Sequence, residues 1–147
     1  MKTYRLIFLL LFSPVFLVAQ NTGVSVYRLR ISVSGLENKQ GQLMLAVYDS
    51  ENTFLKEPLK GIIKDVTTTV MEFTVELPRG NYAVSAYHDI NRNGQLDTRT
   101  IFKIPAEPYA FSNNTTVKTG PPSFREAMVT VPGTDSIALK VSYFRLK

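Results

Sequence analysis

The chain has 147 residues, with 17 Lys and Arg against 12 Asp and Glu, 44% hydrophobic residues, one histidine and no cysteine. That length suits one ordinary domain with a single core, and the lack of cysteine rules out disulfide bracing, a Cys–His catalytic pair and thiolate metal ligands. Its positive residues (Arg28, Arg30, Lys56, Lys60, Lys64, Arg92, Lys103, Lys118 and Lys140) are scattered, with no long run and no interleaved aromatics, which gives nucleic-acid binding little support.

The first twenty residues, MKTYRLIFLLLFSPVFLVAQ, set Lys2 and Arg5 ahead of an apolar run from Leu6 to Phe12 and a second apolar stretch reaching Ala19. This layout predicts a secretory signal peptide over residues 1–20, cut on either side of Gln20, with a single domain over residues 21–147. Ser13 and Pro14 interrupt the run, which is shorter than the ~20 apolar residues of a spanning helix. No transmembrane segment is expected in the mature chain, and export places it in the periplasm, at the outer membrane or outside the cell. Loss of Lys2 and Arg5 leaves it mildly basic. In an oxidising compartment without disulfides, its stability has to come from packing or from an ion.

From residue 24 onward the apolar residues recur with period two, the pattern of half-buried strands. In VSVYRLRISVSG, Tyr27, Leu29, Ile31 and Val33 share one face, with Arg28, Arg30 and Ser32 on the other. QLMLAVYDS sets Leu43, Leu45 and Val47 against Met44, Ala46 and Tyr48; both faces are apolar, which predicts a central strand. GLENKQG, residues 35–41, supplies turn chemistry for a hairpin between these two strands. ENTFLKEPLKG has room for one helical turn, limited by Pro58. VTTTVMEFTVEL buries Met71, Phe73 and Val75 on one face. Pro78 to Asn81 form a turn, and NYAVSAYHD follows with Tyr82, Val84, Ala86 and His88 on one side.

Residues 98–126 carry four prolines and little alternation. A long ordered loop is expected there, pinned by Ile101, Phe102, Ile104, Tyr109 and Phe111. AMVTV and SIALKVSYF then read as two further strands around Pro132-Gly133. Six or seven short strands with no sustained helical period predict an all-β chain: a single antiparallel β-sandwich of about seven strands with one long ordered loop.

The run HDINRNGQLD, His88 to Asp97, carries the most chemistry. Calcium is a hard ion that takes six to eight oxygens, and a loop coiled around it turns alternate side chains inward. Asp89, Asn91 and Asn93 would supply side-chain oxygens, Gln95 its backbone carbonyl, and Asp97 an oxygen directly or through water, with Gly94 at the bend. Thr100 stands where an EF-hand has its bidentate glutamate, and no helical pattern brackets the run, so an EF-hand is excluded. Two carboxylates, one offset by Arg92, predict weak binding, on the order of 10⁻⁴ to 10⁻³ M. A further carboxylate would come from Glu107, Asp49 or Glu51. The competing reading is a polar hairpin turn, since Asn-Gly favours tight turns and Asp and Asn cap them through their own side chains.

Catalysis finds less to work with. His88 would have to serve any Ser-His-Asp arrangement, and its neighbour Asp89 points to the opposite face of the strand. His88 is expected to pack at a strand end, and no catalytic residue is assigned. A carboxylate pair drawn from Asp49, Glu51, Asp89, Asp97 and Glu107 would need converging loops; a small hydrolase using such a pair or His88 is the alternative reading.

Three stretches in order, LPRGNYAVSAYHDINRNGQLD, IPAEPYAFSNN and GPPSFREA, resemble the bacterial secreted family named domain of unknown function 2141 (DUF2141), over roughly Tyr27 to Val141. The resemblance implies a transthyretin-like or immunoglobulin-like β-sandwich in the bacterial cell envelope. His88, Asp89, Asn91, Asn93, Gly94 and Asp97 fill that family's HDxNxNGxxD motif, Phe111, Ser112 and Asn113 its GFSN motif, and Phe124 and Ala127 its last. Ala110 and Lys103 stand where the family has glycine, and Arg99 where it has asparagine. The expectation is a non-enzymatic secreted or envelope module whose Asp89 to Asp97 loop holds calcium and anchors the Thr98 to Glu126 segment. Tyr109, Phe111, Ser112, Asn113 and Asn114 would face a glycan, a peptide or another envelope protein. A purely structural assembly partner, marked by an exposed apolar patch or sheet edge, is the third reading.

Overall fold

Uninterrupted alternation in two nine-residue segments builds the first sheet. The computed structural model describes residues 23–99, 104–115 and 120–143; in it β1 (Val26–Ser34) and β4 (Val70–Pro78) pair antiparallel from end to end. The last strand, β10 (Ser136–Lys140), lies on the other side of β1 and runs parallel to it. Leu29, Ile31 and Val33 of β1 and Phe73, Val75 and Leu77 of β4 are buried on the inner face.

The second sheet forms around β2 (Gln42–Tyr48), with β3 (Lys60–Asp65) on one side and β5 (Gly80–Asp89) on the other, all antiparallel. β2 is central, as its two apolar faces predict. At ten residues, β5 is long enough to carry two partners along its far edge. Its first half pairs with β9 (Met128–Val131) and its second with β8 (Tyr109–Phe111). Leu43, Leu45 and Val47 of β2, with Tyr82, Val84 and Ala86 of β5, face the inner side of the first sheet in one core. Each of the buried leucines, valines, isoleucines and phenylalanines removed from water contributes about 1.5–3 kcal/mol. The molecule is an all-β sandwich, and its sheets are antiparallel apart from the β1–β10 pair.

The structure corrects three local expectations. Gly35 to Gly41 is not a hairpin, because β1 and β2 belong to different sheets. The segment crosses the end of the sandwich, and Leu36, only 2% exposed, plugs the core as it passes. Gly41, with φ +73°, lets the crossing run against β5: a Cβ there would collide with the Asp89 carbonyl oxygen. The turn expected over Pro78 to Asn81 is a bend at Arg79 that carries the chain from the first sheet to the second, braced by the Tyr82 hydroxyl donating to the Pro78 carbonyl at 3.0 Å. Strand β3 was not expected, because KGIIKD does not alternate; only Ile62 packs on the core. The segment from Thr98 to Glu126 is more than a loop. It holds the two-residue strands β6 (Thr98–Arg99) and β7 (Ile104–Pro105), then β8, a 3-10 turn over Ser112–Asn114, and the start of the one-turn helix α1 (Phe124–Ala127), capped by reciprocal Ser123 and Glu126 contacts.

The turn expected after Glu51 is present, with Phe54 N–H donating to Ser50 O at 3.1 Å and Glu57 N–H to Thr53 O at 2.9 Å. It packs Phe54 against the outer face of the second sheet, beside Tyr48, Ala83, Phe111 and Ala127. The expected leader over residues 1–20, and Thr100, Ile101, Phe102 and Lys103, lie outside the described residues. Among the described residues no helix is long and apolar enough to cross a membrane.

Burial and exposure on adjacent residues give a direct test of what holds the sandwich. Leu29→Ala should lower the unfolding free energy by about 2–5 kcal/mol. Arg28→Ala removes an exposed ion pair with Glu76, 3.2 Å long with side chains 77% and 55% exposed, and should cost under about 1 kcal/mol. Urea unfolding midpoints of the two variants check the contrast.

Candidate functional site

β5 delivers His88 and Asp89 to the mouth of the Asp/Asn loop, on opposite faces as strand geometry requires. His88 faces the core and is 1% exposed; its Nε2 lies 2.6 Å from the Gln40 carbonyl. A carbonyl only accepts, so this nitrogen carries the proton and donates. The His88 backbone N–H donates to Pro108 O at 2.9 Å. One residue thus joins the Gly35 to Gly41 crossing, β5 and the entrance to β8, and its ring is occupied in doing so.

Asp89 is completely buried although it points away from the core, because the loop closes over it. Its Oδ1 accepts the Asn93 N–H at 3.2 Å and its Oδ2 the Gly94 N–H at 2.8 Å. Within the loop, Asn91 Oδ1 accepts from Asn93 N at 3.0 Å and Asn93 Oδ1 from Gln95 N at 2.8 Å. The two amides then turn their Nδ2 groups to Asp97, at 2.7 Å from Asn91 to Oδ2 and 2.8 Å from Asn93 to Oδ1. Arg92 and Gly94 take the left-handed conformation that such a coil needs. Arg92 does not offset a loop carboxylate, as its charge suggested in the sequence; it pairs with Asp65 on β3 at 3.0 Å.

Of the three outlying carboxylates considered, the fold brings Glu107 to the loop. It is 5% exposed, and its Oε1 accepts the Ile90 N–H at 2.8 Å while its Oε2 accepts the Asp97 N–H at 3.1 Å. One side chain therefore clamps both ends of the loop, and the Ala106 N–H adds a bond to Asp97 O at 2.7 Å. Hydrogen bonds to a carboxylate are roughly twice as strong as neutral ones. Asp49 lies elsewhere, accepting from Thr53 Oγ1 at 3.5 Å, and Glu51 is exposed in the following turn. Among the described residues no three His, Asp or Glu side chains gather as a metal-ligand cluster. The donors available to a hard cation are the Asp89 and Asp97 carboxylates, the Asn91 and Asn93 amide oxygens and the Gln95 carbonyl.

The residues expected to form a ligand surface are held by the chain's own backbone to a large degree. Ser112 is fully buried, donating to the Ala127 carbonyl and accepting the Val84 N–H at 2.9 Å. Asn113 Nδ2 lies 3.0 Å from both the Glu126 and Met128 carbonyls. Asn114 donates to Ala138 O at 2.9 Å and accepts from Lys140 N at 3.0 Å, completing the free side of β10. Phe111 is buried, and Tyr109 meets it edge-on at 5.8 Å between ring centres while staying half-buried. Three residues beside Tyr109 were missed. Ile63, Met44, Tyr87 and Tyr109 stand in register across the outer face of the second sheet. The apolar second face of QLMLAVYDS was the signal.

Burial, and after it the Asp89 and Glu107 carboxylates and Tyr48, push the Tyr87 phenol above its ordinary value of 10.0. Burial alone raises Tyr109. A raised folded-state value stabilises fully below the unfolded value and is lost as pH climbs through the folded one. Alkaline unfolding should therefore set in above about pH 10, and Tyr87→Phe should move its midpoint to higher pH, followed by circular dichroism. Glu107→Ala strips a charged acceptor from two backbone N–H groups and should cost about 2–4 kcal/mol. Hydrogen exchange would show the loss as faster exchange at Ile90 and Asp97.

No curated protein matches the chain. Among solved structures, the tip fimbrial protein Mfa3 from Porphyromonas gingivalis, with a C-terminal truncation, is similar at 16% identity and a TM-score of 0.43, over 78% of this chain and 48% of that one. This chain therefore spans about half the length of that protein. The model of the family described as "Uncharacterized protein conserved in bacteria (DUF2141)" matches residues 31–138, which run from β1 into β10 and include the whole Asp/Asn loop, and the chain belongs to that family.

Proposed function

We propose that this chain is an exported, non-enzymatic binding module of the bacterial envelope whose Asp89 to Asp97 loop takes up calcium weakly. The observation that carries the calcium reading is the convergence of Asp89, Asn91, Asn93 and Asp97 on one short coil, where Asp89 and Asn91 both accept the Asn93 N–H and the Asn91 and Asn93 amides both donate to Asp97. Alternate residues turn oxygen-bearing groups inward, as a calcium loop requires. An ion there would draw on the Asp89 and Asp97 carboxylates and on amide oxygens turned from their present partners. Two carboxylates and that exchange of hydrogen bonds keep the affinity low, on the order of 10⁻⁴ to 10⁻³ M.

The leader-like first twenty residues support export, and the engagement of His88 with Gln40 supports a non-enzymatic role. Glu107 and Ala106 couple the loop to the segment that leads into β8. An ion in the loop would therefore steady Tyr109 and the row it shares with Tyr87, Met44 and Ile63. That row is the face we assign to a partner, a glycan or a peptide of the envelope, since half-exposed aromatics combine an apolar ring with a polar tip.

At 10 mM calcium and a dissociation constant of about 1 mM, the folded state gains about 1.4 kcal/mol, a rise of roughly 3–7 °C in Tm for a domain of this size. Thermal melts in calcium and in chelator measure it. Asp97→Asn should keep the fold, because among the described residues that carboxylate accepts only from the Asn91 and Asn93 side chains, and should abolish the calcium shift. An unchanged Tm at 10 mM calcium makes the loop a polar turn closed by its own hydrogen bonds.

A further inference from the structure

Among the described residues β4 pairs only with β1, which leaves one edge of a nine-residue strand without a neighbour. Along that edge Lys60 Nζ donates to the Glu76 carbonyl at 2.6 Å and Lys64 Nζ to the Glu72 carbonyl at 3.0 Å. Backbone groups two residues apart point to the same side of a strand. Glu72, Thr74 and Glu76 therefore all turn their N–H and C=O groups out of the sheet.

The two lysines belong to β3, the edge strand of the other sheet. Lys60 pairs with Val47 and Lys64 with Leu43, both fully buried, so the lysines hold core-facing positions in their strand, with Ile62 between them. A core-facing position favours an apolar side chain. Lys64 meets that demand with its stem and passes its ammonium to the seam, 4.5 Å from the centre of the Phe73 ring. Inward-pointing charge on an edge strand is a known means of preventing sheets from joining edge to edge.

We propose that Lys60 and Lys64 lock the seam between the two sheets, and that what they exclude is the β4 strand of a second copy of this chain. An antiparallel edge is self-complementary about a twofold axis. A register that sets Glu72 across from Thr74 forms the backbone bonds without opposing Glu72 to Glu76. The other edge of the same sheet is closed by the Asn114 amide on β10, so among the described residues β4 is the open edge of this sheet.

Lys60→Met with Lys64→Met keeps the long stems while removing the charges and the carbonyl caps. Sedimentation equilibrium should show self-association at least about tenfold tighter than in the parent chain, with the circular dichroism spectrum retained. Adding Thr74→Pro should return association to the parent level, because it removes an outward N–H without touching the bonds to β1. Association equal to the parent's, or strengthened but indifferent to Thr74→Pro, overturns the proposal. If the methionine pair does not fold, Lys60→Thr with Lys64→Thr carries the same two readings.

Discussion

Asp89 and Glu107 bury two carboxylates at one end of the second sheet, and between them they hold the N–H groups of Asn93, Gly94, Ile90 and Asp97. A buried carboxylate without partners is strongly destabilising, whereas one that accepts two backbone donors satisfies itself and the backbone together. The chain reverses direction after β5 without a disulfide, and the coil it makes has few backbone bonds of its own. The position of β8, and with it Tyr109 and Phe111, follows from this pair of acids.

The same solution recurs around the sandwich. Where a strand or turn lacks a backbone neighbour, a polar side chain takes that neighbour's place. Asn114 presents both a donor and an acceptor to β10, as an adjoining strand would. Ser112 does so between β5 and the end of α1, and Asn113 reaches the carbonyls of Glu126 and Met128. At the opposite seam, Lys60 and Lys64 serve the carbonyls of β4. Each of these side chains is an ordinary polar residue by composition, yet each closes part of the fold.

Alternation made the faces of the strands legible. Leu29, Ile31 and Val33, or Leu43, Leu45 and Val47, announce which side is buried, because period two is a local property. It does not announce the partner. Turn residues between β1 and β2 suggest a hairpin, whereas Leu36 among them is the sign that the segment crosses between the sheets. β3 was invisible because an edge strand with lysines at core-facing positions has no alternation to detect. The Asp/Asn motif was plain, but choosing Glu107 over Asp49 and Glu51 depended on where β7 leads the chain. Ser112, Asn113 and Asn114 resembled free ligand groups, since a sequence does not reveal that a backbone lies within their reach.

The parallel contact between β1 and β10 sets Arg30 beside Ser136. A chain that emerges N-terminus first therefore presents the middle strand of its first sheet long before one of that strand's two neighbours exists. Until Ser136 to Lys140 is out, β1 has only β4 paired beside it in its sheet. Such distant pairing slows folding, because a long loop must close before its contacts form. The architecture thus ties completion of the first sheet to the arrival of Ser136 to Lys140, more than a hundred residues after the strand they join.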